Sequence, residues 1–427
     1  MARRSRVLPG ALAAVLLVVA LGGDRPDPDP DTARAADAAA QSPPPTDVSG
    51  HNEPKNLEGR AAAVAKAAEA YEARRRAENP RSFTLVATGD VLLHGTVQGQ
   101  GAADADSAVS PGGFDFRPLL EGVAPLVESA DLAVCHLETP IAPAGGPYAG
   151  YPAFSVPLEI APALADTGYD ACTTASNHTY DRGAGGVDRT LDALDAAGIR
   201  HAGSARTPTE AASVTLLDTD DQARVALLSY TYGFNGVPAP DGQTWRSNPI
   251  DEARILADAA GARSQGADVV VVALHWGDEY RHEPNELQAE LAPRLIRSPA
   301  IDLLLGHHAH VVQPVEQIDG EWVVYGLGNL VANHRTPGAA NEEGLLVRFT
   351  FTEPEADGDP WRVSAAHYAP LLVAKSPQIR VVDIGRALAD PATDPVLRTR
   401  LQTAWDRTTA VVAERGGPTH GLRPIAP

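Results

Sequence analysis

Three histidines crowd the stretch IDLLLGHHAH, residues 301–310, where an apolar run reaches Gly306 and is followed at once by His307, His308 and His310. A neutral imidazole offers a lone pair to a divalent cation, and a protonated one offers a proton to a leaving group. A buried strand that stops on a glycine is how an α/β protein delivers such groups to the carboxyl edge of its sheet. Residues two apart project to one side of an extended segment, so His308 and His310 are expected to act together and His307 to face away. An HxH pair standing alone reads more simply as a histidine-bearing turn.

Four other apolar runs end in the same manner. FTLVAT leads into Gly89 and Asp90, and LAVCHL into Glu138. ACTTAS leads into Asn177 and His178, with Asp181 and Gly183 close behind, and VVVVAL leads into His275, Trp276 and Gly277. Taken singly, an Asp or Asn after a strand is a cap or a turn residue. Five such endings at one sheet edge are harder to dismiss, because carboxylate, amide oxygen and imidazole make a mixed N/O ligand set. That set suits Mn, Fe, Zn or Mg, and the lack of thiolates disfavours a structural zinc. Asp90, Glu138, Asn177, His275, His308 and His310 are therefore the candidate metal ligands. In the loop after His275, Glu279 and His282 read first as charges of an exposed loop that at most reach the site mouth, and Trp276 as packing.

The elements that must position these groups follow from the texture after Phe83. Apolar runs alternate with amphipathic segments such as RPLLEGVAPLVESA and GVDRTLDALDAAG, the pattern of β-α units around a largely parallel or mixed sheet. EWVVYGLGNL, 321–330, reads as one strand ending in Gly328 and Asn329 near the site, and strands over 344–353 and 361–373 continue the sheet. Past about residue 380 the chain reads as a terminal helix or two with a frayed end. GGPYAG lacks the lysine and following helix of a phosphate loop, and no G-x-S-x-G supports serine hydrolysis.

The 427 residues divide by composition. Residues 1–23 carry a basic head and an apolar run of about sixteen residues, the form of a secretory signal or signal anchor. Export follows as an expectation, either as a secreted protein or anchored on the outer face of the cytoplasmic membrane, with membrane contact only through an uncleaved N-terminal anchor. Residues 24–57, rich in Pro, Asp and Ala, cannot bury enough surface to order themselves and read as a tether. Residues 58–80 read as a helix, 81–380 as a single large domain, and 381–427 as a C-terminal extension. A net charge of −20 argues against nucleic acid or an anionic membrane surface as partners. Cys135 and Cys172 are too few for a disulfide scaffold and are expected to be buried free thiols.

The order GD, LE, SNHxxDxG, HWGxEY, GHHxH with a following Gln-Pro, and GLGN resembles the bacterial capsule-synthesis CapA family over roughly residues 83–375. That family is implicated in poly-γ-glutamate capsule production and is related in fold to calcineurin-like metallophosphoesterases. The resemblance implies a four-layer α/β/β/α sandwich holding two divalent metal ions at strand ends. It matches Asp90 to the first-strand aspartate, Glu138 to the acid after the second strand, and Asn177 to the bridging-region asparagine. It matches His275 to the lone histidine and the pair His308 and His310 to the last motif. His178 is implied as the acid that assists the leaving group, with Asp181 orienting it. Two departures stand out. Asp90 is followed by Val91 and Leu92, with no histidine before His94, and His136 stands where family members often have Asn. His136 is thus either a ligand or a space-filler. The function implied is an exported metal-dependent hydrolase acting on a phosphoester or related bond of a cell-surface polymer or its precursor, with capsule-synthesis membrane proteins as candidate partners. The alternative is a non-catalytic surface protein that binds or helps export an anionic polymer and uses the metal structurally.

Overall fold

The structure is a computed structural model that describes residues 55–426 apart from 107–109, 111, 222, 335–338 and 357. The signal and nearly all of the tether expected from the sequence lie outside the described residues. The chain divides into two units, 1–72 and 73–427. Helix α1 (Lys55–Glu78) begins in the first and ends in the second. Its alanines, glutamates, lysines and arginines are strong helix formers with no proline to interrupt them, so the helix starts inside the span read as tether. Among the described residues no helix is long and apolar enough to cross a membrane.

Two sheets make up the second unit. As far as residue 275 the chain gives strands β1 (Ser82–Val91), β2 (Leu132–Leu137), β3 (Ala171–Thr173), β4 (Arg200–Ala202), β5 (Thr215–Asp218), β6 (Arg224–Thr231) and β7 (Val269–His275). The remainder gives β8 (Leu303–His307), β9 (Val315–Ile318), β10 (Glu321–Val324), β11 (Asn329–Val331), β12 (Glu343–Thr352), β13 (Arg362–Ala374), β14 (Arg380–Asp383) and β15 (Arg423–Pro424). One sheet runs β14-β13-β12-β1-β2-β3-β4, with β11 on β1 and β15 on β13; the other runs β5-β6-β7-β8-β10-β9. Strands β1 to β4 are mutually parallel, as are β6, β7, β8 and β10, and antiparallel strands flank both sets. Parallel strands need crossovers, and helices α2 (Gly95–Asp104), α3 (Arg117–Leu120), α4 (Ala124–Glu128), α5 (Ile160–Thr167), α6 (Gly183–Ala196), α8 (Glu252–Ser264) and α9 (Glu286–Ile296) lie in them, while α7 (Pro208–Ala211) lies where the chain passes from β4 in one sheet to β5 in the other.

Side-chain parity then sorts the core into layers. Leu85 and Ala87 of β1 pack with Val271, Ala273 and Leu305 of the facing sheet. Val86, one residue out of phase, packs with Val97, Leu120, Val127 and Leu164 of the helices outside. On the far side Val270, Val272 and Leu304 pack with Ile255, Ala259, Leu291 and Leu295 of α8 and α9. The order helix, sheet, sheet, helix is the expected four-layer α/β/β/α sandwich. Each fully buried aliphatic side chain in it contributes about 1.5–3 kcal/mol. After β14 come α10 (Ile384–Ala389) and α11 (Pro395–Ala413). Arg400 and Arg407 of α11 hold the buried Glu343 carboxylate at the start of β12.

Several expectations are corrected here. EWVVYGLGNL is two strands in different sheets, because Gly328 adopts a left-handed φ of 65° and the chain crosses from β10 to β11. The C-terminal end is not frayed: Arg423 and Pro424 pair with His367 and Tyr368 of β13. Cys135 and Cys172 are joined in a disulfide. Burial in the apolar runs indicates the depth of the two residues but not their partner. In the folded chain they are opposite one another on β2 and β3, with Cα atoms 4.5 Å apart.

Candidate metal centre

Each candidate ligand sits where a parallel strand gives out. Asp90 comes at the end of β1, where the register with β2 slips between Ala87 and Asp90 and the Asp90 amide donates to the Gly328 carbonyl at 2.9 Å. Gly89 at this slip lies so close to Gly328 that any Cβ would collide with its carbonyl oxygen. Glu138 follows β2, Asn177 and His178 follow β3, His275 closes β7, and His308 and His310 follow β8. The groups therefore come from two facing sheets rather than from one edge of one sheet, which corrects the expectation drawn from the runs alone.

Their atoms converge. His275 Nε2 lies 3.0 Å from Asn177 Oδ1 and 3.8 Å from Glu138 Oε1. His310 Nε2 is 3.8 Å from the same Glu138 oxygen, and its Nδ1 is 3.2 Å from Asp90 Oδ2. Ligand atoms about 2.0–2.2 Å from a common ion stand roughly 3–3.6 Å apart, so these separations are close to coordination spacings. All six candidates are buried. Asp90, Glu138 and His310 form one group whose possible ligand atoms lie within 4.8 Å of one another, and Asp90, His136 and His275 form another. Asp90 belongs to both groups.

Two histidines are placed differently from expectation. His307 does not face away: its Nδ1 lies 2.8 Å from Asp90 Oδ1, and its ring stacks 4.2 Å from that of His136. The parity argument fails because the segment is not extended past His307; His308 and His310 have φ of 90° and 54°. His136, which the sequence leaves as ligand or filler, faces the site, with Nε2 3.0 Å from His275 Nδ1 and Nδ1 2.8 Å from Thr173 Oγ1.

Electrostatics test whether a cation fits. Both oxygens of Glu138 are buried without a hydrogen-bond partner, as is Nδ1 of His308. Burial pushes the Glu138 carboxyl well above its ordinary range. A carboxylate so placed is stable only beside a positive charge, and among the described residues no Arg or Lys pairs with it, so the donor set fits divalent cations. Burial also opposes ionisation of Asp90, but hydrogen bonds from His307 and His310 outweigh it and hold the carboxyl well below the usual range. Burial lowers His136 and His275 strongly and takes His308 to about 3, which keeps these imidazoles neutral as ligation requires. His310 goes the other way, to about 9, because Glu138 and Asp90 outweigh its burial.

Outer contacts fix these rings. Asn329 Oδ1 lies 3.0 Å from His310 Nδ1, so the strand end suspected of closing the sheet near the site does orient a candidate ligand. His178 Nδ1 lies 2.8 Å from Asp181 Oδ2, which also accepts the Phe154 amide at 2.7 Å. His94 stands 4.6 Å ring to ring from His334, which is 4.4 Å from His310. His282 is held at 2.7 Å by the Val312 carbonyl, and buried Trp276 donates to the Tyr325 carbonyl at 3.0 Å, so both pack. Glu279 is exposed, yet its carboxylate groups with His308 and His310 within 4.8 Å. The sequence gives too little weight to His136, His307, Glu279 and His334; the one available signal is the density of His and Glu beside the run ends.

A family model described as "Bacterial capsule synthesis protein PGA_cap" matches residues 84–334. The chain is 30% identical over 168 residues to the PGA biosynthesis protein CapA of Bacillus subtilis, covering 39% of this chain and 44% of that one. It is 29% identical over 260 residues to a probable polyglutamine synthesis accessory protein of Mycobacterium tuberculosis, covering 56% and 67%. The match thus spans less than half the length of the Bacillus relative. Among solved structures, a calcineurin-like phosphoesterase from Bacillus subtilis is similar at 15% identity and a TM-score of 0.39, covering 78% of this chain and 98% of that one.

Proposed function

From the premise that this chain belongs to the bacterial capsule synthesis PGA_cap family, we propose that it is an exported metal-dependent hydrolase acting on a phosphoester or related bond of a cell-surface polymer or its precursor. The single observation that carries the reading is the Glu138 carboxylate, buried with neither oxygen hydrogen-bonded and surrounded by imidazoles. Asp90, Glu138, Asn177, His275, His308 and His310 would hold two divalent cations, with His136 as a further donor. Such cations supply Lewis acidity: an acidified water and neutralised charge on a phosphoryl or acyl oxygen.

The chain's own residues would do the rest. Asp181 holds His178 at Nδ1 and fixes the ring, so the opposite nitrogen is left to deliver a proton to the departing oxygen. Asn329 and Thr173 orient His310 and His136. Export is supported by the basic head and apolar run at the N-terminus and by the Cys135–Cys172 bond, which suits an oxidising compartment. A relative named for PGA biosynthesis supports an anionic polymer or its precursor as substrate class.

The test is to load the full chain with Mn and assay a generic phosphodiester. The expected result is turnover that Asp90→Asn abolishes together with metal, and that His178→Ala lowers by about 10²–10⁴-fold while metal is retained. Stoichiometric metal with no turnover of any ester or amide substrate would sink catalysis and leave metal-assisted polymer binding, in capsule assembly alongside membrane proteins, as the reading.

A further inference from the structure

Glu279 belongs to none of the ligand positions above, and the loop that carries it is held at some cost. Three non-glycine residues in left-handed backbone meet at the site mouth: Tyr280 with φ 64°, His308 with φ 90° and His310 with φ 54°. Such conformations cost about 1–2 kcal/mol each and persist where surrounding contacts enforce them. Here the contacts are the Tyr280 amide donating to the Ala309 carbonyl at 2.7 Å and the Trp276 amide donating to the His307 carbonyl at 3.1 Å. Gly277, with φ 91°, turns the loop against Gln288. The two loops are thereby joined side by side. The result is the Glu279 carboxylate, exposed to solvent, within 4.8 Å of ligand atoms of the buried His308 and His310.

A rim carboxylate merely dissolved in water would need no such arrangement. His308 supplies the second observation: it is 4% exposed, and its Nδ1 has no hydrogen-bond partner. Glu279 also acts electrostatically on His310 and Glu138, which places it in the field of the same cluster.

We propose that Glu279 is a further metal ligand, capping from the solvent side the cation position that His308 and His310 approach from below. This rests on the reading of the buried cluster as a divalent-cation centre. The inner groups all arrive on rigid strand ends, so Glu279 is the one ligand on an exposed loop, and the outer cation is held more weakly than its neighbour because one of its ligands is solvated.

The experiment is a calorimetric titration of the metal-free full chain with Mn²⁺, alongside visible spectra of the Co²⁺-loaded protein. In wild type, two binding steps are expected. Glu279→Gln, at an exposed position that leaves the fold intact, should weaken the weaker step about tenfold or more, leave the tighter step unchanged, and alter the Co²⁺ absorption. Isotherms and spectra that superimpose on wild type overturn the assignment. Asp90→Asn in the same series separates the two claims: if it abolishes binding while Glu279→Gln is silent, only the role of Glu279 fails. If Asp90→Asn itself binds like wild type, the metal centre fails with it.

Discussion

At the scale of single residues, Glu138 is the most informative group in the molecule. A buried carboxylate without hydrogen bonds is destabilising until a cation arrives. Glu138→Gln removes that burden while preserving shape, so the metal-free variant is expected to be as stable as wild type or more so, by about 1–2 kcal/mol. The rise in melting temperature on adding Mn²⁺ should shrink sharply in the same variant. Differential scanning calorimetry with and without Mn²⁺ checks both halves; a metal-free variant much less stable than wild type would mean that the carboxylate is paired after all. Much of this is legible in the sequence, since the residue types and their places after apolar runs mark Asp90, Glu138, Asn177, His275, His308 and His310 as candidates, and the structure brings them together. The orientation of each ring is not. His307 and His136 face the site, the one held by Asp90 of the facing sheet and the other by a threonine on the neighbouring strand.

At the scale of elements, two features set where the strands end. Gly306 in β8 lies against the Tyr325 carbonyl and the Trp276 ring nitrogen, with no room for a Cβ. Gly306→Ala should push β8 away from β10, cost on the order of 3 kcal/mol or more, and weaken metal binding with it. Urea unfolding and a Mn²⁺ titration of the same sample measure the two effects. At the opposite end of the strands, the Glu353 carboxylate, just past β12, lies 2.6 Å from Arg75 Nη1 and 2.7 Å from Arg81 Nε. Burial opposes its ionisation, but the two arginines outweigh it and take the pKa from the ordinary 4.5 to about 2. A folded pKa below the unfolded one stabilises above the unfolded value, and that contribution is lost as pH falls from about 4.5 toward 2. Glu353→Gln should therefore be less stable than wild type at pH 7, by on the order of 2 kcal/mol, and the gap should close as pH falls to 2–3. A gap that stays constant over that range would show that the ion pair is not the source.

At the scale of the whole molecule, the centre joins two sheets whose facing surfaces are built mainly of apolar side chains. A ligand bound only by the folded state stabilises it by about 2.7 kcal/mol at a hundred times its dissociation constant. Chelation with EDTA is accordingly expected to lower the melting temperature by about 5 °C, with readdition of Mn²⁺ restoring it. An unchanged transition would mean that no cation links the sheets. What the sequence by itself determined is the set of strand ends and the chemistry carried there, because side-chain type, apolar run and glycine stop are local properties. The parallel strands and the terminal helices follow from the same local patterns. Only the tertiary structure decided that the groups come from two sheets, that EWVVYGLGNL divides between them, that Cys135 meets Cys172, and that Glu279 comes within 4.8 Å of ligand atoms of His308 and His310. Periodicity is written strand by strand, whereas Asp90 and His307 are 217 residues apart and meet only when one sheet packs on the other.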